Sequence, residues 1–134
     1  MSMLADLRSL LLSDPVVSDL VGTRISWSTI PQGSARPAIV MHLISAPIAY
    51  HLGGAGGPEQ SRVQIDCQTA QPFSNALHVG EAVTAALSGY AGTFGGTWFA
   101  GIFQDSAQDL SEVAAAEQQI SVYSIDVIVH HQQE

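Results

Sequence analysis

The sequence predicts an α+β fold in which a mostly antiparallel sheet packs with helices. Three observations predict it. Residues 61–69 alternate Val63, Ile65 and Cys67 with Arg62, Gln64, Asp66 and Gln68, as a strand with one buried face does. Residues 72–88 carry Ala76, Val79, Val83 and Ala86 as one helical stripe, with Asn75, His78 and Glu81 outside it. Residues 119–129 return to strand period, with Tyr123, Ile125, Val127 and Val129 set against Ser124 and Asp126.

The remaining elements follow in chain order. Met3, Leu4, Leu7, Leu10 and Leu11 recur at helical spacing, so residues 2–12 read as an amphipathic helix whose leucine face needs a sheet to cover. Asp14 before Pro15 is an N-cap followed by proline at the first helical position, and Gly22 supplies a stop, which gives a short second helix. Residues 24–27 read as a short strand ended by Pro31 and Gly33. Residues 37–46 are apolar on both faces and read as a central strand. Residues 49–60, with four glycines within 53–57, read as a long hairpin arm suited to ordering on a neighbour. Residues 90–96 are a glycine-rich turn region, 97–103 a strand, and 105–118 a polar, alanine-rich connection.

At 134 residues the chain is expected to be a single domain spanning 1–134. Hydrophobic residues make up 46% and charged residues 12%, enough apolar content for a core, with a surface compatible with subunit contact. Four arginines, no lysine and twelve acids give a net charge of −8, which argues against sequence-specific nucleic-acid binding because phosphate recognition draws on clustered cations. No apolar run reaches the length of a membrane span, and Met1 to Leu12 lacks a basic leader region, so no membrane association is expected and synthesis is expected in the cytoplasm.

The chemistry-bearing residues do not gather into a recognisable motif. His42, His51, His78, His130 and His131 lack metal-ligand spacing; His130 and His131 would point to opposite faces of a strand, and His78 with Glu81 is a helical i, i+3 pair without a second half. Cys67 alternates with Val63 and Ile65 and reads as a buried small apolar residue. The glycines of 53–57 are followed by Pro58 and a strand, not by the lysine and helix of a phosphate loop. Asp66 and Asp126 sit mid-strand on polar sides and would share a surface if their strands pair, either as a paired-acid site or as a hydrated or arginine-facing sheet. No cofactor is called for.

Several short motifs in a fixed order carry a resemblance. They are the N-terminal leucine helix, Val21-Gly-x-Arg-Ile25, the strand opening at Arg36-Pro37, Arg62-Val-Gln-Ile-Asp66, the helix end Ala85-Ala-Leu-Ser-Gly89 and the closing Tyr123-Ser-Ile-Asp-Val127. Together they resemble the tail-completion or tail-terminator proteins of long-tailed phages and gene transfer agents, over nearly the whole chain. The resemblance implies a tail-terminator-like, non-enzymatic structural subunit of a virion or phage-like particle, assembled in the bacterial cytoplasm. It implies a homo-hexameric ring that caps the tail tube protein and joins it to the head connector, the stopper or neck protein, while DNA passes through the channel. The lysine-free composition and the glycine-rich arm depart from the family pattern.

The expected interface residues are Tyr50, His51, Leu52 and Glu59 on the arm, with Arg62, Asp66 and Asp126 on the strands. The alternatives are another head-to-tail neck or connector protein, a small metal-dependent hydrolase using Asp66, Asp126 and a histidine, and a ligand-binding module with Trp27 and Trp98 lining a pocket.

Overall fold

The computed structural model describes residues 3–29, 35–45, 59–70, 72–109 and 120–133. In chain order these form α1 (Met3–Ser13), α2 (Pro15–Val21), β1 (Ile25–Trp27), β2 (Ala38–Ser45), β3 (Glu59–Ala70), α3 (Phe73–Leu87), β4 (Gly92–Phe94), β5 (Thr97–Asp109) and β6 (Ile120–Gln133). The six strands make one curled sheet in the order β1-β2-β3-β6-β5-β4, antiparallel throughout except for the parallel β1–β2 pair.

The helices pack on one face of this sheet. Leu7, Leu10 and Leu11 of α1, Val17 and Val21 of α2, and Val79, Val83 and Leu87 of α3 join Ile39 and Met41 of β2, Val63, Ile65 and Cys67 of β3, Ile125, Val127 and Val129 of β6, and Phe99 and Ile102 of β5 in one buried cluster. Each fully buried leucine or isoleucine side chain contributes about 1.5–3 kcal/mol of transfer free energy. The alternation read in β3 and β6 is therefore the alternation between this cluster and the opposite face.

Local signals set the helix ends. The Asp14 carboxylate accepts from the backbone N–H of Val16 at 3.0 Å and of Val17 at 3.1 Å, with Pro15 at the first helical position. Gly22 ends α2 at φ 60°, in the left-handed region where a Cβ is disfavoured. Trp27 ties the first helix to the sheet by donating its indole N–H to the Leu4 carbonyl at 2.9 Å. α3 approaches β6 closely at Gly80, where a Cβ would lie 2.2 Å from a ring carbon of Tyr123.

The hairpin expected between the second and third strands is present as the antiparallel β2–β3 pair. Its arm, with Tyr50, His51 and Leu52, lies outside the described residues. Three readings are corrected. Residues 105–109 belong to β5 and not to a connection, because pairing from Ser106↔Asp126 to Asp109↔Tyr123 gives their backbone partners that a polar sequence does not advertise. The glycine-rich segment before β5 contains β4, a three-residue strand paired from Gly92↔Phe99 to Phe94↔Thr97. Finally, β2 is buried on both faces only in its first half: Leu43 and Ile44 are exposed beyond Met41.

Candidate functional site

The face opposite the helices carries three of the expected interface residues, Arg62, Asp66 and Asp126. Pairing of β3 with β6 sets Gln64 beside Asp126, Asp66 beside Ser124 and Arg62 beside Ile128, so Arg62, Asp66 and Asp126 share that face. Arg62 is the hub. Its Nη1 donates to the Asp126 carboxylate at 2.9 Å and to the Asp105 carboxylate at 2.9 Å. Asp105 reaches it because β5 bulges between Gln104 and Ser106, which slips one extra residue against β6. The hydrogen bond from Arg62 to Asp105, then that to Asp126, raises the guanidinium pKa further above its already high value. One oxygen of Asp126, Oδ1, is buried without a partner among the described residues.

Asp66 is a separate cluster on the same face. It is 9% exposed, accepts from the Gln64 amide at 2.9 Å, and stands 3.3 Å from His42 Nε2 of β2. The alternatives framed for the two acids thus divide: Asp126 faces an arginine, while Asp66 has a histidine and an amide. Among the described residues no group of three or more His, Cys, Asp and Glu side chains is placed to hold a metal ion. No helix among them is long and apolar enough to cross a membrane.

The apolar part of this face lies at the Arg62 end. Phe103 of β5 is 52% exposed, pairs across from Ile128, and makes an edge contact with the His130 ring at 5.7 Å between centroids. Glu59, the first residue of β3, is exposed and pairs with His131, in the register of the helix side. Trp27 and Trp98 do not meet: β1 and β5 are separated by three strands, with Trp27 packed against the core and Trp98 exposed. This corrects the reading in which they line one pocket.

The remaining candidates also have definite places. Cys67 is fully buried, and burial, with the nearby Asp66 charge, pushes its thiol pKa well above the usual value. His78 and Glu81 are an exposed pair at 3.9 Å. His131 faces the helix side and is buried, with Nε2 2.9 Å from Ser61 Oγ, while His130 lies on the opposite face. Burial lowers the His131 pKa, the Glu59 charge opposes that shift and His130 adds to it.

Sequence reasoning did not assign His42 or Asp105 to this face. His42 was legible, since it alternates with Met41 and Leu43 in β2. Asp105 was not, since its position depends on a bulge that leaves no trace in the apolar pattern.

A curled sheet with helices on one face and charge-paired side chains on the other defines a small α+β subunit with a polar sheet surface opposite its helices. The chain belongs to the tail completion protein gp17 family, whose match spans residues 5–127, and its role is a structural one in the phage tail. Comparison with curated proteins finds no match. Among solved structures, a chain from the virion of a native gene transfer agent particle shares the fold, with a TM-score of 0.72 at 18% identity, covering 97% of this chain and 94% of that one.

Proposed function

We propose that the protein is a tail terminator: a non-enzymatic, single-domain subunit that closes six copies into a ring on the end of the tail tube and offers the head connector its docking surface. The observation that carries this reading is the family match over nearly the whole chain, supported by the shared fold with a virion chain of a gene transfer agent particle. Tail-tube protein on one side and a stopper or neck protein on the other are the partners of this proposal, at the junction of tail and neck in particles assembled in the bacterial cytoplasm.

The physical chemistry is compatible with that work. A ring needs a heterologous interface, and a subunit with a long hairpin can supply one by laying that hairpin on its neighbour. In this reading Tyr50, His51 and Leu52 of the arm, with Glu59 at its base, make the intersubunit contact. Arg62 and Asp126, with Asp105 on the same guanidinium, meet the neighbour as an ion-paired patch, and the largely buried Asp66 acts by holding His42 in place. Six copies at −8 each carry −48, and acidic walls repel phosphates, so DNA slides through the channel without sequence-specific binding.

Deletion of residues 50–58 tests the arm directly. The shortened chain is expected to keep its circular dichroism and melting transition yet to leave tail tubes uncapped and of irregular length. Tails of normal length from particles carrying the deletion would remove the arm from the proposal.

A further inference from the structure

The sheet ends in two edges that its short outer strands cover only in part. β1 pairs with β2 from Ile39 to Met41 and stops there, and among the described residues no backbone group bonds to the outer side of residues 42–45. On the far side, β4 pairs with β5 from Thr97 to Phe99, and Gly89 and Tyr90 bond to Ile102. Beyond that point residues 103–108 have β6 on one side and, among the described residues, no strand on the other. The Thr84 hydroxyl reaches the Gln104 amide oxygen at 2.9 Å, yet all of residues 103–108 stay exposed, on both faces of the sheet.

Both edges carry apolar groups and little charge. Four of the six exposed large hydrophobic side chains among the described residues stand on these two strands: Leu43 at 43% and Ile44 at 51% on β2, with Trp98 and Phe103 on β5. An unpaired strand edge is a template for another strand, and proteins usually blunt it with charged side chains or cover it. Residues 42–45 include no acid, lysine or arginine, and Asp105, the one acid within 103–108, is already held by Arg62. A bulge interrupts each edge, between Leu43 and Ser45 and between Gln104 and Ser106, which keeps the stretch that can pair short.

The placement of the edges selects the occupant. They lie on opposite sides of one sheet, in the order β1-β2-β3-β6-β5-β4, so a single subunit offers both halves of a head-to-tail contact with its own copies. A foreign strand would cover one edge and leave the other open. Residues 42–45 also lead directly into the hairpin arm that the ring reading lays on the neighbouring subunit, so edge and arm make one continuous contact. We propose that residues 42–45 of one copy pair with residues 103–108 of the next, covering Leu43, Ile44 and Phe103 and carrying the sheet from subunit to subunit. The inference rests on the ring reading and adds to it the strands that form the joint.

Thiol cross-linking of the full chain, assembled with tail-tube protein, tests it. Cys67 is fully buried, so added cysteines supply the accessible thiols. With a bis-maleimide of about 10 Å reach, roughly three strand residues, Ile44→Cys combined with Ser106→Cys is expected to give a ladder beyond two copies on a denaturing gel. Either cysteine alone is expected to give single copies, because a head-to-tail contact does not set a position against its own equivalent. Ile44→Asp should keep the melting temperature within about 3 °C of the wild type, since the side chain is exposed, and should reduce ring formation about tenfold or more by placing a charge in the joint. Rings that form with no ladder, a dimer from either single cysteine, or an Ile44→Asp chain that assembles like the wild type would overturn the strand joint and leave the ring itself standing. A wild-type chain that stays a single copy beside tubes would overturn both.

Discussion

The helix-covered face of the sheet and the face opposite are held by different physics. On the covered face, Val63, Ile65, Cys67, Ile125 and Val127 are buried against three helices, and position is fixed by volume. On the opposite face, Arg62, Asp66, Asp105, Asp126 and His42 are placed by charge and hydrogen bonding, with an exposed Phe103 at one end. The comparison teaches where change is tolerated: the covered face resists any change of size, whereas the opposite face can exchange partners without losing the fold. That latitude is what a docking surface requires.

The largest effect is expected on the covered side. Phe99→Ala removes a fully buried ring that packs edge-on against Tyr90 at 5.9 Å, and should lower unfolding free energy by about 3–5 kcal/mol in a denaturant titration. A loss below 1 kcal/mol would mean that this face is not packed as described. Gly80→Val should come next, at about 1–3 kcal/mol, because its side chain would enter the space of the Tyr123 ring. Combining it with Tyr123→Ala should recover part of the loss, and strict additivity would refute that close approach.

The opposite face should respond less and in another way. Arg62→Ala should lower the melting temperature by less than either core change, and added salt should narrow its gap to the wild type, since the pairs it breaks are partly exposed. A salt-independent loss as large as that of Phe99→Ala would erase the distinction between the faces.

The smallest effect sharpens the comparison at one of its exceptions, the polar Ser61–His131 contact on the covered side. Burial holds the His131 pKa below the ordinary value near 6.5, so its neutral form belongs to the folded state and the unfolded chain takes up the proton first. The contribution is therefore full above about pH 6.5 and is lost as pH falls through the folded value. His131→Gln should flatten the fall in denaturation midpoint between about pH 7.5 and 5.5, and an unchanged slope would show that His131 does not carry it.

The covered face was legible in the sequence because period-two alternation and the Asp14-Pro15 and Gly22 helix signals report burial and chain reversal directly. The sharing of one surface by Arg62, Asp66 and Asp126 was legible for the same reason, once their strands were paired. Asp105 was not, because a bulge shifts its register, and neither was the end of β5, whose polar residues are held by β6 and not by a core. β4 was hidden because three residues among glycines carry no period. Which strand ends lack a neighbour was hidden too, since that follows from strand order and not from any local pattern.

The central claim is that copies of this chain close into a ring on the end of a tube. Mass measurement by light scattering, on the purified chain alone and mixed with tail-tube protein, tests it most directly. The account predicts a six-copy species bound to tube ends, and a chain that stays a single copy in the presence of tubes would contradict it.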